Sequence, residues 1–242
     1  MKKNVAVIGS SGAIGNAVSK ILLDDETVQS VYNFSRSIST NTSDKENRIY
    51  IDIENEESIK DAVDKIPQDI KFDLIFVATG ILHNENDVYP EKSIRDISAD
   101  KFKKVLMINT VGPALIGKYF IPFLNKDNKN VFAFLSARVG SISDNKIGGW
   151  YSYRASKTAL NQIVKNFSIE IKRSNPNSIF IGLQPGTVKS NLSKPFEKNV
   201  QSDNLFSPDY SARKLLEVID ALTSDDSGKF YACLLYTSDA AD

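Results

Sequence analysis

Short apolar runs alternate along the chain with longer stretches whose apolar residues recur every three or four positions. Val5–Ile8 is too short and too continuously apolar for a helix and predicts a buried strand. Ala13–Leu23 follows with helical spacing. Val28–Phe34 and Arg48–Ile53 form the next two predicted strands, and Glu56–Ile66 (Ile59, Ala62, Val63, Ile66) a helix stopped by Pro67. Phe72–Ala78 is apolar almost throughout, as a strand covered on both faces of a parallel sheet should be. Lys101–Leu124 predicts a long helix, bent or interrupted near Gly112-Pro113 and Pro122, because proline removes a helical hydrogen bond and crowds the turn before it. Asn130–Leu135 is then a strand, Tyr151–Lys172 a helix, Ser178–Leu183 a strand, Ser211–Leu222 a helix and Lys229–Ala232 a last strand.

Strands separated by helices call for right-handed crossovers, hence an α/β fold with a doubly wound parallel sheet in three α/β/α layers. No internal repeat or low-complexity linker divides residues 1–232, so they are expected to form a single domain. Ser35–Asn47, rich in Ser, Thr and Asn, predicts a surface loop. The acidic cluster Glu54-Asn-Glu56-Glu57 suits the solvated first turn of a helix better than a metal site. No Cys/His spacing for zinc exists, and no metal is expected. Residues 233–242, Cys233-Leu-Leu-Tyr-Thr-Ser-Asp-Ala-Ala-Asp242, have no periodic partner and resemble translated adapter read-through, which predicts a non-native tail.

Composition narrows the class. The 242 residues are 41% apolar and 25% charged, the balance of a soluble globular protein. Thirty basic residues cancel thirty acidic ones, so neither nucleic acid nor an anionic membrane is an expected partner. One cysteine cannot close an internal disulfide, which points to a reducing, cytoplasmic setting. The N-terminal apolar run is too short for a signal peptide, and no stretch is expected to approach the roughly 18 apolar residues that span a bilayer.

The chemistry starts at Gly9-Ser-Ser11-Gly-Ala13-Ile14-Gly15, between the first strand and the first helix. Glycine lets the backbone turn tightly and approach a pyrophosphate, and the helix N-terminus offers unpaired N–H groups, so the turn predicts a dinucleotide site. At the end of the second strand, where a carboxylate would hold both ribose hydroxyls of NAD, stand Ser35 and Arg36, which suit a 2′-phosphate. Asp52 after the third strand would cap the adenine amino group, and Ala78-Thr79-Gly80 after the fourth permits close backbone approach. Together these positions favour NADP(H) over NAD(H). Tyr153-Arg-Ala-Ser-Lys157 sets a phenol and an ammonium one helical turn apart. A cation there is expected to lower the tyrosine pKa from about 10 and make it a general acid or base at a carbonyl or alcohol. Tyr210-Ser-Ala-Arg-Lys214 has the same spacing, but only Tyr153 follows a predicted strand and a serine-rich loop.

With Asn109, Ser136 and Pro185-Gly186-Thr187, these motifs make residues 4–232 resemble a single-domain short-chain dehydrogenase/reductase with a Rossmann-like fold. The chain is most similar to C-factor/sniffer-like carbonyl reductases, through Ser136–Asn145, Trp150–Lys157, Pro185–Ser190 and Leu192–Phe196. The resemblance implies Tyr153 as proton donor, Lys157 as its partner at the nicotinamide ribose, and Asn109 holding a water in a proton relay. The plainer alternative for Asn109 is a helix-kink residue satisfied by backbone. Pro185, Gly186, Thr187 and Val188 would meet the carboxamide. The substrate-positioning serine is where the chain departs: the usual slot is Ala137, leaving Ser136 as first candidate, Ser141 as the other, or neither. The implied substrate is a small carbonyl or alcohol compound, and the implied assembly a homodimer or homotetramer. An NAD(P)H-binding regulatory protein with little turnover is the competing expectation. His83, the only histidine, is expected in a loop without a catalytic task, with substrate contact as the alternative. Trp150, Tyr151, Phe196 and Phe206 could line an apolar pocket, and Asn191–Ser207 reads as a mobile lid.

Overall fold

Alternation along the strands decides how the layers form. The computed structural model describes residues 2–38, 40, 43–84, 87–197 and 204–233. In chain order these give β1 (Lys3–Ile8), α1 (Ala13–Asp24), β2 (Val28–Ser35), β3 (Glu46–Tyr50), α2 (Glu56–Val63) and β4 (Leu74–Val77). There follow α3 (Ala99–Leu106), a π turn (Met107–Val111), α4 (Gly112–Phe120), β5 (Asn130–Leu135), α5 (Tyr151–Ile171) and β6 (Ser178–Gln184). A short pair, β7 (Thr187–Val188) and β8 (Leu205–Phe206), precedes α6 (Pro208–Ala221) and β9 (Phe230–Ala232). The main sheet has seven parallel strands in the order β3-β2-β1-β4-β5-β6-β9.

Successive side chains of a strand face opposite ways, and each face here has its own core. Val5, Val7, Leu74, Phe76, Val131 and Ala133 pack under α1 and α6. Their neighbours Ala6, Ile8, Ile75, Val77, Phe132 and Phe134 pack under α2, α4 and α5. This second face is aromatic: the rings of Phe132 and Phe134 stack at 4.8 Å, and Phe180 lies 5.5 Å from Phe132. The expected doubly wound three-layer fold is the one observed.

Several boundaries move for physical reasons. The third strand, expected at Arg48–Ile53, starts earlier and ends at Tyr50. Its first residue is polar yet buried: Glu46 accepts a hydrogen bond from Asn33 Nδ2 at 2.7 Å and pairs with Arg48 at 2.9 Å. Ile51 and Ile53 remain in the core beyond the ladder, which is why hydrophobicity alone extended the strand. Phe72 leaves β4 to bridge Leu124. The last helix begins three residues before the expected Ser211, with Ser207 as N-cap, accepting from Tyr210 N–H, and Pro208 in the first turn. The expected bend in the long helix is a π turn at residues 107–111, ahead of Gly112-Pro113. The helical stretch Ala99–Phe123, whose most apolar 18-residue window has a mean hydropathy of 1.3, is long and apolar enough to cross a membrane, contrary to the sequence expectation. Here it packs Val105, Ile116 and Phe120 into the domain. Cys233 is buried, its N–H donating to Gln184 O at 2.9 Å, so order extends one residue past the expected domain end. Residues 234–242 of the suspected tail lie outside the described residues.

Phe132→Ala removes a fully buried ring shared by β5, β6 and α5. Urea unfolding should show a loss of about 3–5 kcal/mol, with the slope of the transition unchanged.

Candidate active site

The carboxyl ends of β1, β4, β5 and β6 open on one cleft of about 1400 Å³. β1 and β4 are adjacent at the point where strand order reverses, the place where open α/β sheets collect ligands. A drug-sized pocket is roughly 300–1,000 Å³, so the cleft has room for an extended dinucleotide with a substrate beside it.

The glycine turn builds one end. Gly9 has φ 86°, and a Cβ on Gly15 would stand 2.3 Å from Gly9 O, so neither position tolerates a side chain. Both shape the turn from behind, while Ser11, Gly12, Ala13 and Ile14 face the cleft. Gly12 caps α1 without a side-chain bond, and no acidic residue stands in the first turn. The open N–H groups and the positive dipole end therefore fit a phosphate. Ala78, Thr79 and Gly80 form the opposite wall, where Thr79 Oγ1 is buried without a hydrogen-bond partner. Pro185, Gly186, Thr187 and Val188 complete the wall after β6, and Gly186 is left-handed at φ 72°. These residues fit a dinucleotide.

Ser35, Arg36 and Asp52 are not part of the described cleft wall. Ser35 Oγ donates to Ser37 O at 2.6 Å, and Asp52 Oδ1 accepts from Glu54 N–H at 3.1 Å. Arg36 is 70% exposed, 3.8 Å from Glu54, a pair weak enough to yield to a better anion.

The face of α5 turned towards β5 carries Tyr153, Lys157 and Asn161 at successive turns. Lys157 Nζ donates to Leu135 O at 2.9 Å and lies 5.9 Å from the Tyr153 ring centre. Burial pushes the Tyr153 phenol up to about 12 and draws the Lys157 ammonium down to about 8. The expected lowering of Tyr153 is therefore not found: desolvation outweighs the cation, whose proton is directed at a strand carbonyl.

Ser136 is buried at the end of β5, and its Oγ donates to Asn161 Oδ1 at 2.6 Å. Ser141 Oγ accepts from Asp144 N–H at 3.2 Å and stands 3.4 Å from Ser143 Oγ. Ala137 and both serines border the cleft. Asn109, in the π turn, clamps one residue of the loop after β4: Oδ1 accepts from Ile81 N–H at 2.7 Å, and Nδ2 donates to Ile81 O at 2.9 Å. Nδ2 also reaches Ser156 Oγ at 3.0 Å, so its side chain is satisfied within the protein. A Cβ on Gly80 would be 3.4 Å from Asn109 Oδ1 and 3.5 Å from Lys157 Nζ, which places the two side by side.

Trp150, Phe196 and Phe206 line the cleft, but Tyr151 does not. His83 Nε2 meets Asn191 O at 2.8 Å, and its ring lies 5.9 Å from that of Phe196, so the histidine holds the expected lid segment. Residues 198–203 of that segment lie outside the described ones. Tyr210 is exposed and Lys214 pairs with Glu217 on the outside of α6, so the second Tyr-x3-Lys takes no part. Sequence reasoning missed Leu82 and the Arg138–Asp144 ion pair (2.6 Å) on the cleft rim. No motif announces either.

A seven-stranded parallel sheet with a glycine turn at its switch point and a buried Tyr–Lys pair defines a nucleotide-dependent oxidoreductase fold. The short chain dehydrogenase family model matches residues 3–201, and the chain belongs to that family of NAD(P)-dependent dehydrogenases and reductases. It is 29% identical over 181 residues to the 1-hydroxy-2-glutathionyl-2-methyl-3-butene dehydrogenase of a Rhodococcus species, covering 74% of each chain. It is 30% identical over 139 residues to the C-signal of Myxococcus xanthus, covering 57% of this chain and 78% of that one. The NADPH-bound carbonyl reductase from chicken fatty liver superposes with a TM-score of 0.85 over 98% of this chain and 94% of the other, at 21% identity, which establishes the common fold.

Gly15→Ala should force the phosphate turn open, costing about 1–3 kcal/mol by overpacking and weakening NADPH binding. Urea unfolding and a fluorescence titration measure the two effects.

Proposed function

We propose that the protein is an NADP(H)-dependent carbonyl reductase in which Tyr153 is the general acid. The observation that carries this reading is the Tyr153–Lys157 pair, both buried, at the wall of a cleft that fits a dinucleotide. The bound nicotinamide supplies the hydride. A phenol held near 12 is fully protonated at neutral pH, so Tyr153 is ready to give a proton to a carbonyl oxygen. Lys157 stabilises the phenolate left behind, its ammonium held in place by the bond it donates to the Leu135 carbonyl. Asn109 keeps the loop after β4 at its distance from Lys157. Ser136 can polarise the substrate only by turning its hydroxyl away from Asn161. Leu82, Val139, Trp150, Leu192 and Phe196 suit an apolar carbonyl substrate. A cytoplasmic homodimer or homotetramer completes the proposal.

Tyr153→Phe should lower NADPH oxidation with 9,10-phenanthrenequinone by roughly 10²–10⁴-fold. Burial depresses the Lys157 pKa, so its charge is present below about 8 and lost above it. Reductive kcat/KM should therefore be level near neutral pH and fall as pH rises through about 8, and a flat profile there would remove Lys157 from the mechanism.

Arg36 supports the choice of cofactor. Arg36→Asp should weaken NADPH by roughly tenfold, the loss of a charge-assisted phosphate contact, while leaving NADH nearly unchanged. Equal losses in calorimetric titrations would show that Arg36 does not read the 2′-phosphate.

A second reading, a regulatory protein that binds NADPH with little turnover, rests on Ala137 and on the Ser136 hydroxyl already given to Asn161. NADPH binding without oxidation across a panel of aldehydes, ketones and quinones would select it.

A further inference from the structure

A buried carboxylate lies outside the chemistry described so far. Glu91, in the connection between β4 and α3, is 2% exposed. Its main-chain oxygen accepts from Trp150 N–H at 2.5 Å, and its carboxylate Oε2 accepts from Ser152 N–H at 3.2 Å. Oε1 has no hydrogen-bond partner. Among the ways to fill a protein interior this is a costly one, because an apolar side chain of similar size would serve stability as well or better.

The bonds hold the entry to α5. Gly148, Gly149 and Trp150 are consecutively left-handed, at φ 71°, 65° and 51°, and Trp150 is the only such non-glycine among the described residues. A backbone of this kind persists where its surroundings over-determine it. A Cβ on Gly149 would meet Glu91 O at 3.3 Å, so the turn is moulded on that residue. Trp150 caps α5 without any side-chain bond of its own. The first-turn N–H of Ser152 would be left open, and the Glu91 carboxylate satisfies it from 61 residues earlier in the chain. Its negative charge also sits at the positive end of the helix dipole. Trp150, fixed in this way, lies edge-on to Tyr153 at 6.2 Å and 5.2 Å from Phe196 of the lid segment.

We propose that Glu91 is a positioning residue: through the N–H groups of Ser152 and Trp150 it caps α5 and locks Trp150 as the wall between Tyr153 and the lid. The consequence for turnover rests on Tyr153 being the general acid. The substrate carbonyl then meets the phenol against a fixed indole face, and releasing that face lowers turnover without touching the distant phosphate turn.

Two variants of matched length test it. Glu91→Met removes the side-chain acceptor of Ser152 N–H and leaves the main-chain bond to Trp150, and Glu91→Gln keeps a side-chain acceptor. The readouts are kcat with NADPH and 9,10-phenanthrenequinone, NADPH affinity, thermal unfolding, and the emission of Trp150, the only tryptophan in the chain. E91M should fold, bind NADPH within about twofold of the parent and lose roughly 10- to 100-fold in kcat, the cost of a misplaced reacting group. Its Trp150 emission should move to longer wavelength, and E91Q should restore both kcat and emission. Parental kcat and emission in E91M would overturn the proposal. So would an E91Q as impaired as E91M, or an E91M that no longer folds, since Glu91 would then be only a structural buried charge. A parent without turnover, or an active Tyr153→Phe, would fail the Tyr153 reading instead, and Trp150 emission would still decide whether Glu91 locks the indole.

Discussion

The bond from Lys157 Nζ to Leu135 O is the contact on which the site depends. An ammonium this buried is stable only with an acceptor at hand, and the last carbonyl of β5 provides it. The bond therefore ties one turn of α5 to one strand end, and its neighbours inherit the register. Tyr153 one turn earlier reaches the cleft wall. Asn161 one turn later meets Ser136, and a Cβ on Gly140 would stand 3.0 Å from the Lys157 backbone, so the loop after β5 lies flat on the helix. The aromatic layer of Phe132, Phe134, Phe167 and Phe180 makes the same alignment from the apolar side.

Burial acts on both partners in the same chemical sense. It disfavours phenolate at Tyr153 and draws the Lys157 ammonium down to about 8, so near neutral pH the phenol keeps its proton while the lysine still carries its charge. A site so biased suits proton donation to a developing alkoxide better than proton removal from an alcohol. The nearby cation, which spacing alone makes the dominant influence, is secondary because its charge is already committed to Leu135.

The legible part of this molecule was the part written in continuous apolar runs and glycines. Strands buried on both faces, the glycine turn after β1 and the Tyr-x3-Lys face of α5 each follow from one local rule, and each stands where that rule puts it. What escaped depends on partners far away in sequence. Glu46 looked like loop because nothing local reveals Asn33 and Arg48 as its partners. The two-residue pairing of β7 with β8 is too short to leave a pattern. The π turn around Asn109 carries no composition signal, and only Ile81, 28 residues away, explains why an asparagine sits there.

Glu91 is the extreme case of that distance. Pro90-Glu91-Lys92 has no periodicity, and a lone acidic residue in a loop is ordinarily a solvated charge. Its environment is set by the left-handed run at 148–150, whose glycines are visible in the sequence but whose third member, a tryptophan, argues against such a conformation. The local rule fails at Trp150, where the left-handed entry to α5 is held from outside by the Glu91 main-chain oxygen and sets the indole beside Tyr153. Places where local preference is overruled in this way tend to be sites of function. The violation at Trp150 and the unpartnered oxygen of Glu91 meet at one place, the start of α5, where the indole lies edge-on to Tyr153.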